Sequence, residues 1–372
     1  MYSLFMLAVI MLSISVCACG APKDEPVTFA DTKFEAVFRE EYRFGSDTIY
    51  MSDILEFGEL NLSNGGICDI SDIAMFRNLK KLDLSSNNIE DVSPLSNLTK
   101  LTELDLSLNS ISDISALSNL TDLTVLSLIW NSISDISPLT NLANLTELYL
   151  NLNSISEIGA LSDLTNLTKL DLCGNCISDI GALSKLTNLT ELSLGENRIS
   201  NISALSKLTN LSELYLHSNA ISDLSPLSTL TNLSDLYLYS NDISDITALS
   251  KLTNMTVLYL NTNEIGDISP LSDLTNLTVL VLYDNNISDI SALSELANLT
   301  ELSLFVNLIS DISPLSKLTN LTELYLFSNT ISDITPLYSL TSLTYLSLVS
   351  NNLSDSQIAE LQTHLPNCHI IW

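Results

Sequence analysis

The sequence predicts an α/β solenoid, a coil with a parallel β-sheet along its concave side and short helical turns along its convex side. Two observations predict it. From Leu79 onward, thirteen consecutive stretches repeat one 22-residue pattern, L-x-x-L-x-L-x-x-N-x-I-S-D-I-S-x-L-S-x-L-T-N, almost without insertion or deletion. Within each stretch seven positions are apolar and converge on one interior: one, four, six, eleven, fourteen, seventeen and twenty. A lone unit gains too little from burying its aliphatic side chains to offset the entropy of ordering its backbone, so neighbours must stack and share one core. Growth in one dimension also explains how 372 residues avoid the size limit of a single globular core.

The elements follow in order. Residues 1–19 obey different rules from the rest: Leu4 to Val16 is a run of apolar and small residues, short for a membrane span and placed where the apolar core of a secretory signal belongs. Its leading residues carry no Lys or Arg. Val16-Cys17-Ala18-Cys19 resembles a bacterial lipobox, which implies cleavage before Cys19 and acylation of its thiol; a plain secretory signal is the alternative. Residues 20–27, with Pro22 and Pro26, read as a tether. Residues 28–56 read as an N-terminal cap, with Phe29, Phe34, Val37 and Phe38 on one face of a helical pattern and a loop around Gly45 and Asp47.

The repeats occupy residues 57–351, beginning with a degenerate unit at 57–78 in which Gly65 stands at the Asn position. Asn87, Asn109 and every twenty-second residue to Asn351 match the leucine-rich-repeat signature, so the architecture is a leucine-rich-repeat solenoid. The L-x-L segment alternates with period two and predicts a short strand adding in parallel to its neighbours about 4.8 Å away, for a rod roughly 60 Å long. The Asn that follows can donate to and accept from backbone groups that would otherwise be buried unpaired. Ser at position fifteen, ahead of Pro94, Pro138, Pro226, Pro270, Pro314 and Pro336 or an Ala, reads as a capping residue. About six residues then remain before the next strand, room for one 3₁₀ turn. Residues 352–372 read as a C-terminal cap: a helix over Ser354–His364 carrying Ile358 and Leu361, a break at Pro366, and an apolar ending.

Composition limits the function. A net charge of −30, from 44 acids and 14 bases, opposes nucleic-acid binding and docking on anionic lipid head groups. Part of that acidity is repeat consensus, since thirteen of fourteen units carry Asp or Glu at position thirteen, Asn201 being the exception. One carboxylate per coil falls short of the six to eight oxygens calcium takes, and an Asp before a turn ordinarily binds local amides. No metal and no cofactor is expected. Cys173-Gly174-Asn175-Cys176 has C-x-x-C form, but no second Cys pair accompanies it, and His217, two coils away, falls roughly 10 Å off at strand spacing. A local disulfide between Cys173 and Cys176 is an open alternative in an oxidising compartment. The Asn-Leu-Thr triplets are products of the repeat junction.

Function then rests on positions the fold leaves free: three, five, seven and eight, which face away from the core on the concave side. Tyr149, Tyr215, Tyr237, Tyr259 and Tyr325 stand at position five; His217, Tyr239, Tyr283, Phe305 and Phe327 at position seven; Trp130 at position eight. From Tyr215 to Phe327 six consecutive units carry aromatics, whereas the first half has Asp and Ser in the same columns. Such a stripe reads as a contact surface, because Tyr, Phe and Trp anchor interfaces. Glu191, Glu213, Asp235, Glu301 and Glu323 at position three border it, so the expected partner is a protein with an apolar centre and a basic rim. No nucleophile with an adjacent base is visible around His217, His364 or His369, so no enzyme is expected.

From about Phe29 to Trp372 the chain resembles bacterial surface leucine-rich-repeat proteins of the internalin-like type, including the phrase I-S-D-I-S-P-L-S-x-L-T-N-L and the helical cap. This resemblance implies an exported, rigid, non-catalytic scaffold that recognises protein through its concave face; a monomer is expected. The sequence shows no immunoglobulin-like stretch or wall-sorting motif after the repeats, which leaves attachment to Cys19. A regulatory subunit similar to the 22-residue-repeat phosphatase regulators, located inside the cell, is the alternative.

Overall fold

The structure, a computed structural model, describes residues 24–372; the signal-like segment with Cys19 lies outside the described residues. Fifteen three-residue strands form one parallel sheet in sequence order. The first fourteen recur every 22 residues from β1 (Glu59–Asn61) and β2 (Lys81–Asp83) to β14 (Tyr345–Ser347). Each pairs positions three, four and five with the same positions of the next coil, as in Lys81↔Glu103, Leu82↔Leu104 and Asp83↔Asp105. An insertion-free period leaves no other register, so identical columns stack from coil to coil. The apolar ending forms a further strand, β15 (His369–Ile371), which pairs β14 and covers that edge of the sheet.

The Asn column closes each turn as its chemistry requires. Asn131 donates from Nδ2 to the carbonyls of Leu106 (3.0 Å) and Leu128 (3.2 Å), and its Oδ1 accepts from the Ile111 amide at 3.0 Å. Two further ladders run between coils on the outside. Hydroxyls at position two donate to the position-two carbonyl of the coil before, as Thr124 to Thr102 at 3.0 Å. Side-chain amides at position 22 donate to the position-21 carbonyl before, as Asn144 to Thr121 at 2.9 Å. The junction phrase T-N-L-T therefore carries structural hydrogen bonds.

Position eight is left-handed in every regular unit, from Ser86 (φ 56°) to Ser350 (φ 54°), and Gly174 is the only glycine in that column. For a side-chain-bearing residue this costs on the order of 1 kcal/mol. From Ser86 to Ser328 each such residue donates its N–H to the next coil, Trp130 to the Asn151 carbonyl at 2.9 Å, for example, so the sheet holds the strained turn in place.

The convex side carries 3₁₀ turns such as Ser93–Asn97 and Ser225–Thr229. The residue that caps them differs from the expectation. Ser at fifteen lies inside the turn and its N–H needs an acceptor, which the acid at thirteen supplies: Asp223 Oδ1 accepts from the Ser225 amide at 2.8 Å and Oδ2 from its hydroxyl at 3.0 Å. Asn201 does the same through Oδ1, 2.9 Å from the Ser203 amide. These bonds hold Asp223, Asp267 and Asp311 below the usual carboxylate range, the backbone donor being the larger cause.

At the N-terminal end α1 (Thr32–Glu41) is capped by Asp31, whose side chain accepts from the Phe34 amide. Phe34 and Phe38 are buried with Phe29 and Phe76, and the buried Asp72 of the first unit accepts from the amides of Ala30 and Asp31. A second helix, α2 (Met51–Glu56), follows the loop around Gly45. The part of the tether stretch that is described docks onto this cap: Pro26 bridges Tyr50, Val27 donates to the Ile49 carbonyl at 2.8 Å, and Asp24 accepts from the Ser52 amide at 3.0 Å. At the other end α3 (Asp355–His364) starts at a Ser354–Gln357 capping box and buries Ile358 and Leu361 over the last coil.

Candidate functional site

In-register parallel strands put equal positions of neighbouring coils about 4.8 Å apart, close to the spacing at which aromatic rings stack. The position-five column uses this: Tyr215 stacks on Tyr237 (centroids 4.6 Å, interplanar 9°) and Tyr237 on Tyr259 (4.9 Å, 23°). At position seven Tyr283, Phe305 and Phe327 form a second stack with centroids 4.1 and 4.0 Å apart. His217 stacks on Tyr239 at 4.5 Å in the same column. Between these two runs sits Asn261, buried, with an Oδ1 that no protein donor reaches. Tyr215, His217, Tyr237, Tyr239, Tyr259, Asn261 and Tyr283 line a shallow groove of about 640 Å³.

The rings are half-buried, each covered by the next, and present stacked edges and faces to solvent. Tyr325 continues the face by packing on Tyr345 at 5.2 Å, and Tyr345 in turn on His369 at 5.9 Å. The acidic border is tied into this surface. The Tyr215 hydroxyl donates to Glu213 at 3.0 Å, Tyr325 to Glu323 at 2.7 Å and Tyr149 to Glu147 at 2.7 Å. Burial and then that bond raise Tyr215 well above an ordinary phenol, while Tyr325 is pushed up to about 12, chiefly by Glu323. Glu301 is raised by burial and by the neighbouring Glu323.

Two of the expected contact residues lie away from these aromatic contacts. Tyr149 lines a hollow of about 670 Å³ at the other end of the face, with Tyr42, Lys81, Val125 and Ile129. Trp130 stands in the left-handed turn after its strand, 61% exposed, and stacks on no ring among the described residues. The same turn carries Leu108 and Leu152, also exposed, so three consecutive coils form an apolar ridge that reading the columns for aromatics alone misses. Its signal was available as L, W and L at position eight.

The Cys173 environment also departs from expectation. Gly195, between Cys173 and His217 in the position-seven column, leaves a gap into which the imidazole folds; a Cβ at Gly195 would lie 2.3 to 2.7 Å from ring atoms. His217 therefore reaches Cys173 across the intervening coil, where strand spacing alone sets the two roughly 10 Å apart. Cys173 Sγ, a Glu196 carboxylate oxygen and an imidazole nitrogen all lie within 4.8 Å of one another. Burial lowers His217, opposed by Glu196 and Asp171, and burial pushes the Cys173 thiol up to about 11. Cys173 and Cys176 are free thiols. No helix among the described residues is long and apolar enough to cross a membrane.

A family model for leucine-rich repeats, in two-copy units, matches successive windows from residues 77–119 to 319–363. An internalin, InlF, of Listeria monocytogenes is similar in structure at 34% identity and TM-score 0.75, over 92% of this chain and 95% of that one. The functional domain of InlJ from the same organism, described as including a cysteine ladder, matches at 26% identity and TM-score 0.74 over 91% and 77%. A leucine-rich-repeat protein of Leptospira interrogans shares the fold at 23% identity and TM-score 0.71 over 87% and 97%. No curated protein sequence matches the chain. With the repeat model spread over most of its length and an internalin matched nearly end to end, the chain belongs to the leucine-rich-repeat family and is internalin-like.

Proposed function

We propose that this protein is a non-catalytic, protein-binding scaffold of an extracytoplasmic bacterial surface, held there by acylation of Cys19, and that it grips its partner with the stacked aromatic face. The observation that carries this reading is the pair of ring stacks, Tyr215–Tyr237–Tyr259 and Tyr283–Phe305–Phe327, on the one face the solenoid does not need for its core. Stacked rings lose little rotamer entropy on contact and supply area for hot spots. Glu213, Asp235, Glu301 and Glu323 beside them favour a partner with an apolar centre and basic rim.

The test is capture by the wild-type chain against a Tyr215→Ala, Tyr237→Ala, Tyr259→Ala variant with an unchanged circular dichroism spectrum. Loss of the captured protein supports the reading; equal capture moves the contact elsewhere. Mass spectrometry of membrane fractions tests the anchor: a mature terminus other than Cys19, or no acyl mass, removes it.

A further inference from the structure

Three ligand-bearing side chains meet where the polar half of the concave face gives way to the aromatic half. Cys173, Glu196 and His217 come from three successive coils, and their Sγ, carboxylate oxygen and imidazole nitrogen are mutually within 4.8 Å. We propose that they form a Zn²⁺ site, with the protein supplying one sulfur, one nitrogen and one oxygen and leaving a fourth position open beside the tyrosine groove. The proposal stands independently of the partner-binding reading.

Several separate features support it. The His217 Nδ1 is buried and has no hydrogen-bond partner, an arrangement that costs free energy unless something binds there. Gly195 is the residue that admits the imidazole: any side chain at that position would collide with the ring, and the column is otherwise occupied on both sides. The ring is held from its other face by Tyr239. Glu196 sits at the left-handed position, φ 53°, and its N–H donates to the His217 carbonyl at 2.9 Å, so one coil-to-coil hydrogen bond ties the backbones that carry the carboxylate and the imidazole. Asp171 accepts from the Cys173 amide at 3.0 Å and fixes the backbone that carries the sulfur.

The donor set fits the ion. Tetrahedral zinc with bonds of about 2.0 to 2.3 Å sets its ligand atoms about 3.4 to 3.6 Å apart. The three donor atoms, mutually within 4.8 Å, need to draw together by little more than about an ångström to reach that spacing. A thiolate and a carboxylate neutralise a divalent ion, and a mixed S, N, O set excludes calcium and magnesium, which take oxygen alone. Three protein ligands and one open position is the arrangement of zinc sites that accept a further ligand.

Cobalt(II), which reports thiolate ligation by a near-ultraviolet charge-transfer band, is the probe. The purified, reduced full chain is titrated with Co²⁺ and then with Zn²⁺. The expected result is one Co²⁺ per chain with a thiolate band that Zn²⁺ abolishes. Cys173→Ser should remove the band although the other thiols remain, and His217→Gln should weaken binding at least about 100-fold. Gly195→Ala keeps all three ligands yet blocks the imidazole's seat, and should weaken binding about tenfold or more. The Tyr215, Tyr237, Tyr259 triple variant should bind Co²⁺ as wild type does. A wild-type chain without a thiolate band, or a band that survives Cys173→Ser, overturns the proposal. Circular dichroism confirms that each variant is folded.

Discussion

The first and second halves of the concave face share one backbone and one leucine core yet have opposite chemistry. In the first half the exposed columns are stitched with polar bonds: Asn61 donates to Asp83 at 3.0 Å, the Ser107 and Ser127 hydroxyls share a bond of 2.6 Å, and Lys81–Glu103 and Lys169–Glu191 pair at 2.8 and 2.9 Å. In the second half the same columns hold stacked rings, and no cation pairs with Glu213, Asp235, Glu301 or Glu323 among the described residues. Positions three, five and seven are therefore free of the fold, which the core, the three side-chain ladders and the left-handed turn hold the same throughout. A face that the fold leaves free can be specialised in one region without cost to the next.

The largest expected effect breaks this comparison if it goes the wrong way. Replacing Tyr215, Tyr237 and Tyr259 by Ala should weaken partner binding by at least about 100-fold, since central aromatic anchors dominate interface energies. Replacing Asp83, Asp105 and Ser127 by Ala at the same column positions should leave affinity within about threefold, as near-neutral contacts do. Binding that instead collapses in a Leu108→Ser, Trp130→Ser variant would shift the contact to the apolar ridge of the first half. Calorimetry or surface plasmon resonance with the captured partner reads all three.

The scaffold should not distinguish the halves. Asn109 and Asn219 each donate to three carbonyls and accept from one amide of the preceding coil. Each change to Ala should cost about 1 to 3 kcal/mol in urea unfolding, because buried backbone groups lose their partner. The two values should agree; a loss confined to one half would mean that the ladders differ in strain. The face itself contributes less. Tyr237→Ser, which removes the centre of a three-ring stack, should cost about 1 to 2 kcal/mol, while Asp105→Asn in the first half, which keeps an oxygen to accept from the Ser107 amide, should stay within about 0.5 kcal/mol.

How far the sequence alone reaches follows from the same division. Residues bound to the period, such as Leu82, Asn131 and the Ser-Pro starts at 93–94, reveal strand, turn and helical side because a stacked coil permits one register. The aromatic columns were legible too, since strand alternation fixes which way Tyr215 and Tyr283 face. Hidden were the features that depend on what a neighbour lacks. Gly195 carries no signal until His217 is seen to fill its place, and strand spacing alone put Cys173 and His217 roughly 10 Å apart. The ring of Asp31, Asp72 and the Ala30 amide that seals the cap, and the pairing of residues 369–371 as a last strand, involve residues outside the repeat and so outside its logic. Ser at fifteen resembles a cap by residue type, but the phase of the turn places it one step inside, and the acid at thirteen takes the role.

The smallest effect tests that acid column, which runs through both halves without regard to the face. Hydrogen bonds from the backbone and hydroxyl at position fifteen hold Asp113, Asp135, Asp267 and Asp311 below the ordinary carboxylate value. A carboxylate whose folded value is depressed adds stability that is present above its unfolded value and lost as pH falls through the folded one. The melting temperature should therefore drop on going from about pH 5 to pH 3. Lower pH also relieves the self-repulsion of a chain of net charge −30, which opposes the drop. Asn substitution separates the two, because Asn201 already makes the backbone bond without a titrating group. An Asp113→Asn, Asp135→Asn variant and an Asp267→Asn, Asp311→Asn variant should each show a shallower acid decline than wild type, and by equal amounts. Slopes that differ would trace to the neighbours of each pair, since Asp135 feels Asp113 itself whereas Asp267 and Asp311 feel Asp245 and Asp333, which the second variant leaves in place.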